Sequence, residues 1–306
     1  MAVVFKSKGV SVSEVFCDKI SLVANLPTGA DYKHVYEHLH QLALDNKYGY
    51  PEPRPGNFLS MHLCTDEQFE LNVRKRRTML FQLKSQYFES NKIRVEFNPA
   101  KDNMSIVREL VEFVTGYTWE KLIGISRVTR FDMAVDISGI DINSLAVSCK
   151  HSKKRSTVSV KKGEIETVSF GTRKSQWAIQ LYDKAKQSKL PGKLVRIEAS
   201  YRPKKSHLLK YMQEVENPFS RLTIDSFMPI TVFGEPTEFE RFFIKVAKHE
   251  GLESALDTCS PDTRKQMKKR LNKYLNDWLS PEQLWQQWEG VLSTLESPPP
   301  SIGFID

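Results

Sequence analysis

A tyrosine and a lysine share one face of a predicted strand, an arrangement that could attack phosphorus. In WAIQLYDK, residues 177–184, apolar and polar side chains alternate, so a β-strand would place Tyr182 and Lys184 together on the side away from the core. A phenol has a pKa of about 10 and attacks poorly until its proton is removed. A neighbouring cation such as Lys184 would favour the phenolate, so both residues are candidate catalytic groups.

Acidic residues occupy the polar faces of two further alternating strands. RFDMAVDI, residues 130–137, presents Asp132 and Asp136, and VRIEASYR, residues 195–202, presents Glu198. Asp132 and Asp136 would lie about 13 Å apart in a regular strand, too far to share one ion. One of them with Glu198 is the better pair of oxygen ligands for Mg²⁺ or Mn²⁺. The alternative is an antiparallel sheet whose solvated face simply carries mixed charges.

Basic residues gather around the same strands. The net charge is +8 at pH 7, and an excess of this size favours a polyanionic partner, nucleic acid first and anionic membrane second. A basic solvated surface without a partner is the alternative, and the basic helix predicted from Asp262 has the same two interpretations. The candidate DNA contacts are Arg130, Arg196, Arg202, Lys153, Lys154, Arg155, Arg173 and Lys174.

The elements that would position these residues are predicted from periodicity and capping signals. Predicted strands cover residues 58–64, 78–83, 93–97, 127–137, 166–170, 176–184 and 194–202, and predicted helices cover 30–46, 104–117, 142–148, 238–256, 262–279 and 281–295. The pattern predicts an α+β fold with a largely antiparallel sheet platform, helices on one face and a C-terminal helical region. We expect a catalytic domain over 1–230, divisible into halves 1–100 and 101–230, then helices over 231–296 and a tail over 297–306.

Cysteine spacing and hydropathy exclude several classes of protein. The four cysteines lie far apart without a C-x-x-C pair, so they indicate reduced thiols and neither a zinc site nor a disulfide framework. The N-terminus lacks the apolar core of a signal peptide, and no run approaches the about 20 apolar residues of a membrane span. We therefore expect a cytoplasmic protein without a membrane partner.

Three blocks, in order, carry a family resemblance: RVTRFDMAVDISG, ETVSFGTRKSQWAIQLYDKAKQ and KLVRIEASYRP. With the upstream IRVEFNPAK, the sequence over about residues 90 to 205 resembles the replication-initiation factor family, which includes rolling-circle initiators of plasmids and filamentous phages and some relaxases. The resemblance implies that Tyr182 is the nucleophile and that Asp132 and Glu198 form the acidic site, with Asp136 as a further candidate. A second tyrosine is not evident in the block, and Tyr201 falls on the apolar phase of its strand.

The function that this resemblance implies is metal-dependent nicking of one strand at an origin, leaving a 5′-phosphotyrosine and a 3′-hydroxyl primer, followed by strand transfer and resealing. The implied partners are origin DNA, single-stranded or supercoiled, with host helicase and DNA polymerase; a homodimer is an open alternative. A conjugative relaxase with the same chemistry, or a non-catalytic DNA-binding repressor, are the alternatives. His38-Leu39-His40 imitates the two-histidine motif of another initiator class, but it lies within a predicted helix.

Overall fold

The computed structural model describes residues 3–7, 9–44, 49–51, 58–65, 77–84, 91–150, 152, 154–159, 164–172, 174–204, 207–226, 235–272 and 280–296. The predicted tail over 297–306, the proposed domain boundary near residue 230, Lys153 and Arg173 lie outside these residues. Among the helices of the described ranges, none is long and apolar enough to cross a membrane.

Strands and helices alternate along the chain in groups. The strands are β1 (Val3–Ser7), β2 (Val10–Ser13), β3 (Phe16–Asn25), β4 (Gly49–Pro51), β5 (Phe58–Cys64), β6 (Thr78–Lys84), β7 (Lys92–Phe97), β8 (Arg127–Ser138), β9 (Leu145–Cys149), β10 (Arg155–Ser159), β11 (Ile165–Phe170), β12 (Trp177–Asp183), β13 (Leu194–Tyr201), β14 (His207–Leu208) and β15 (Leu222–Ser226). The helices are α1 (Gly29–Leu44), α2 (Met104–Thr115), α3 (Trp119–Ile125), α4 (Lys184–Ser188), α5 (Glu238–Glu250), α6 (Leu252–Asp257), α7 (Pro261–Asn272), α8 (Pro281–Gln286) and α9 (Trp288–Glu296).

The chain divides into two compact units, each assembled from separate segments. The first unit comprises Met1–Val15, Ala134–Ser200 and Glu216–Gln287, and the second comprises Phe16–Met133, Tyr201–Val215 and Trp288–Asp306. The division therefore falls within β8, so that Asp132 belongs to the second unit and Asp136 to the first.

The first unit places β10, β11, β12, β13 and the end of β8 side by side, and β2 pairs with β8. The β10–β11 and β11–β12 pairs are antiparallel, and Thr167 of β11 stands opposite Tyr182 of β12. A separate antiparallel pair joins β9 to β15. Helices α5, α6 and α7 close an apolar core over Ala146 of β9, with Phe243, Leu256 and Met267 among its buried members.

The second unit orders its strands as β8, β3, β7, β6, β5 and β4, with β14 pairing β8 antiparallel. The β3–β7, β7–β6, β6–β5 and β5–β4 pairs are antiparallel as well. Phe97 of β7 packs edge-on against Trp119 of α3, with ring centroids 5.7 Å apart. Tyr201 is buried, 5.2 Å from the ring of Phe131, which confirms its predicted place in the core.

These elements confirm the predicted α+β class with antiparallel sheet and C-terminal helices. Three predictions of secondary structure were wrong. The helix predicted over 281–295 is divided at Gln287 into α8 and α9. Residues 142–148 form a 3₁₀ turn over Ile142–Ser144 followed by β9, because Leu145, Ala146 and Val147 are buried in a strand paired with β15. The predicted helix over 238–256 ends at Gly251, whose φ of 102° is a conformation that favours glycine and starts α6 in a new direction.

Candidate active site

Tyr182 and Glu198 meet on neighbouring strands of the first unit. Tyr182 is the sixth residue of β12, and its phenolic hydroxyl donates a hydrogen bond of 3.2 Å to Oε2 of Glu198 on β13. Both side chains are half-buried, while Leu181 and Ile197, which have the opposite phase, are fully buried. The period of two in each strand therefore brings the tyrosine and the acid to one side of the sheet.

An open pocket of about 490 Å³ lies over this pair. Its lining residues all have polar side chains and belong to β11, β12, α4 and β13. The lining residues are Glu166, Thr167, Gln180, Tyr182, Asp183, Lys186, Gln187 and Glu198. A pocket of this size that exposes a phenol beside a carboxylate can admit part of a polar substrate.

Helix α4 closes one side of the pocket. The Asp183 carboxylate accepts a hydrogen bond of 2.8 Å from the backbone N–H of Lys186, which caps the first turn. The ammonium of Lys186 forms an ion pair with Glu166 on β11, and this partner raises the pKa of Lys186 above its ordinary value. Neither Glu166 nor Lys186 was singled out from the sequence, because each is one of many charged residues on an exposed phase and only the turn at Asp183 brings them together.

The sequence predicted that Lys184 lies on the same strand face as Tyr182, but Lys184 is not part of the strand. Because Asp183 caps α4, β12 ends at that residue and Lys184 begins the helix. Its ammonium lies 5.8 Å from the centroid of the Tyr182 ring and donates a 2.7 Å hydrogen bond to Oε1 of Gln187. Lys184 is thus beside the ring.

Asp136 and Arg196 form a buried ion pair in the first unit. The guanidinium donates to both carboxylate oxygens, at 2.6 and 2.8 Å, and the Arg196 side chain is only 5% exposed. The Asp136 backbone N–H also donates to the hydroxyl of Ser13. Arg196, a candidate DNA contact, is therefore buried, and it is paired with Asp136, a candidate metal ligand.

Asp132 lies in the second unit in a comparable pair. It is 1% exposed, and its two carboxylate oxygens accept from Nε of Arg130, at 2.9 Å, and from Nη2 of the same guanidinium. Cys17 is buried nearby, and the burial, reinforced by the negative charge of Asp132, raises the pKa of its thiol. Asp132 and Arg130 thus form a closed pair, whereas the sequence offered either a metal ligand and a DNA contact or, as the alternative, a solvated strand face.

The remaining candidate DNA contacts divide by exposure. Arg155 donates a 2.7 Å hydrogen bond to the carbonyl of Lys248 at the end of α5, and burial lowers the pKa of its guanidinium. Lys154 and Lys174 are exposed near one end of the β10–β11–β12 ladder, where the N–H of Gly171 donates to the Lys154 carbonyl. Arg202 is half-buried just after β13.

Comparison with known proteins finds similarity among solved structures. No protein-family model matches the chain, and no curated protein matches it. Among solved structures, a rolling circle replication initiator protein from Geobacillus stearothermophilus is 16% identical, with a TM-score of 0.41. The match covers 78% of this chain and 97% of that chain. A likeness of this degree says nothing about the activity of this chain.

The pocket contains oxygen atoms that could bind a divalent cation. Within the described residues, no three His, Cys, Asp or Glu side chains are arranged around one point as a metal cage. Mg²⁺ does not need such a cage, since one or two carboxylates, water and substrate phosphates often complete its shell. Glu198 and the amide of Gln180 line the pocket and are oxygen donors of the kind that a hard cation prefers. Asp132 and Asp136 fit less well, because guanidinium groups hold their oxygens.

Proposed function

We propose that this chain is a rolling-circle replication initiator that nicks one DNA strand at an origin, with Tyr182 as the nucleophile. The observation that carries this proposal is the 3.2 Å hydrogen bond from the Tyr182 hydroxyl to Glu198, at an open polar pocket. A phenol hydrogen-bonded to a carboxylate has a proton acceptor in place, which is what an unreactive hydroxyl needs before it can attack.

The proposed nicking step begins at this hydrogen bond. As the Tyr182 oxygen approaches phosphorus, its proton passes to Glu198. A bond forms between that oxygen and the phosphorus, and the bond from phosphorus to the 3′ oxygen breaks. The leaving 3′ oxygen takes a proton from solvent water, and Glu198 later returns its proton to solvent. The products are a 5′-phosphotyrosine and a 3′-hydroxyl that can prime synthesis. Because the new phosphodiester retains the bond energy, attack by a 3′-hydroxyl can reseal the strand without ATP.

Mg²⁺ or Mn²⁺ would be held by Glu198 and Gln180, with Asp136 as a further ligand only if Arg196 were displaced. A bound dication supplies charge that offsets the negative charge developing on the phosphate oxygens. Glu198 can serve a cation and Tyr182 together because its carboxylate has two oxygens.

DNA would be held by cations around the ladder that contains Tyr182. We assign exposed Lys154 and Lys174 to phosphate contacts, with Lys153 and Arg173 beside them in sequence. Arg130, Arg196 and Arg155 already bind acceptors within the protein, so their roles are to position strands and helix α5. Origin DNA is the proposed partner, and host helicase and polymerase would act on the product.

Covalent capture on labelled DNA tests the proposal. The protein, with Mg²⁺ or Mn²⁺ and supercoiled or single-stranded DNA carrying its origin, should nick one strand and remain attached at the new 5′ end. Tyr182→Phe removes only the oxygen, so nicking should fall at least about 10⁴-fold while DNA affinity is retained. Mass spectrometry of the attached peptide identifies the nucleophile.

Three results would redirect the assignment. Full nicking by the phenylalanine variant would show that another residue attacks. Origin binding without any nicking by the wild-type protein would favour the repressor alternative. Nicking that occurs at a transfer origin and not at a replication origin would favour a relaxase.

A further inference from the structure

Helix α5 carries an exposed aromatic face that the nicking site does not use. Phe239 and Phe242 are 43% and 57% exposed, although the same helix buries Phe243 in the core of the first unit. A capping box between Thr237 and Glu240 fixes the start of α5, so the aromatic pair stands on a rigid element. Residues three apart on a helix are neighbours, which makes the two rings one patch.

Cations flank this patch. Arg241 and Lys245 are exposed, and neither forms an ion pair with any residue that the structure describes. Lys245 follows Phe242 by three positions and Arg241 by four, so it is a neighbour of both on the helix, and the three residues share its exposed side. Glu238 is the acid on the same outer side. We call Phe239, Arg241, Phe242 and Lys245 the α5 outer face.

We infer that the α5 outer face binds single-stranded DNA without sequence preference, with bases stacked on the two phenylalanine rings and phosphates beside the two cations. Every base has a face that can stack on an aromatic ring, and the adjacent cations replace counterions on the backbone. A protein partner fits this surface less well, because burying both cations would require matching acids at each. This inference does not depend on Tyr182 being the nucleophile.

Fluorescence anisotropy of full-length protein with labelled oligothymidylate of about 16 nucleotides tests the inference. The probe lacks an origin and the buffer lacks metal, so failure here leaves nicking untouched. Phe242→Ala should weaken binding at least about fivefold. Phe242→Leu keeps an apolar side chain but loses the aromatic ring, so it should lose nearly as much, whereas Phe242→Trp should retain affinity. Phe113→Ala, at an exposed phenylalanine of α2, is the matched control and should bind as wild type.

The charge component has its own measurement. The double variant Arg241→Gln/Lys245→Gln should reduce the slope of log affinity against log salt by about 1.4, the value for two single-strand phosphate contacts. Lys33→Gln, at an exposed lysine on α1, should reduce it by much less than one contact.

Unchanged affinity in Phe242→Ala, with the thermal unfolding midpoint also unchanged, would overturn the inference. So would a loss of dimer in sedimentation without a loss of DNA affinity, since the face would then bind a second copy. Equal affinity for the leucine variant and wild type would also refute stacking. Photocrosslinking of iodouridine-substituted DNA to the peptide containing Phe242 would support it.

Discussion

In the first unit Tyr182 and Glu198 meet at an open pocket, whereas in the second unit Arg130 and Asp132 meet in a closed pair. Both pairs lie on polar phases of alternating strands. The phenol and the carboxylate are half-buried and share a hydrogen bond with one proton that can move. The guanidinium holds both oxygens of Asp132, and its proton does not leave near neutral pH.

The same contrast occurs inside the first unit. Asp136 and Arg196 occupy the same strands, β8 and β13, that contribute to the polar side, yet the pair is buried and closed. Strand alternation therefore assigns a side chain to a face, while burial and the neighbouring strand decide whether the group reacts or stabilises. The predictions below separate these two outcomes.

The largest expected effect is the loss of nicking when the hydrogen-bonded pair of Tyr182 and Glu198 is broken. Glu198→Gln removes the proton acceptor but keeps the shape, so nicking should slow by about 10²- to 10⁴-fold with no loss of folding stability. Glu166→Gln is the matched control, because Glu166 lines the same pocket but is paired with Lys186, and it should slow nicking far less. Single-turnover cleavage of labelled origin DNA measures both. Equal losses in the two variants would mean that the pocket needs negative charge in general.

Breaking the buried pair of Asp136 and Arg196 should lower the free energy of unfolding. Arg196→Met leaves Asp136 buried without its partner, so the free energy of unfolding should fall by about 3 to 5 kcal/mol. The double variant Asp136→Leu/Arg196→Met should recover most of that loss, since no buried charge remains. Urea unfolding followed by circular dichroism measures this. A stable Arg196→Met variant with reduced DNA affinity would instead return Arg196 to the phosphate contacts.

Much of the site follows from the sequence, and the omissions have physical causes. The period of two is a property of the strand itself, so it correctly placed Tyr182 and Glu198 on one side of the sheet. The pairing of Asp132 and Asp136 with arginines depends on which side chains surround the strands in the fold. The spacing of residues within one strand does not predict those neighbours. Strand β12 ends at Asp183 because the Asp183 carboxylate accepts a hydrogen bond from the backbone N–H of Lys186 and so starts helix α4. The polar residues of this segment are compatible with either a longer strand or a helix, so the sequence did not predict where the strand ends.

Lys154 and Arg155, at the start of β10, test the difference between a cation that binds DNA and one that stabilises the fold. The expected effects are smaller than those above. Arg155→Met removes the cation and donor at the end of α5 and should lower stability by about 1 kcal/mol without changing salt dependence. Lys154→Gln should leave stability unchanged and reduce the salt slope for duplex origin DNA by about 0.9. Thermal unfolding and anisotropy titrations at several salt concentrations give both quantities. Exchanged phenotypes would reverse the two assignments.

The smallest effect concerns a closed network in the second unit. Burial raises the pKa of Glu96, but the hydrogen bond and charge of Lys19, followed by the charges of Arg94 and Arg130, outweigh burial and lower it. A lowered folded-state pKa contributes stability above the unfolded value, about 4.5, and this contribution is lost as pH falls through the folded value.

Lys19→Met should therefore lower the free energy of unfolding by less than about 1 kcal/mol at pH 7, because the lysine is partly exposed and screened. The difference between wild type and variant should shrink as the pH falls below the Glu96 pKa, where the carboxylate is protonated in both. Lys33→Met, whose partner Glu37 is exposed, is the control and should show a smaller difference throughout. Urea unfolding at a series of pH values from neutral to acid measures it. A difference that persists unchanged in acid would show that Lys19 stabilises through the packing of its apolar stem, and the second unit's closed network would then be held by contact more than by charge.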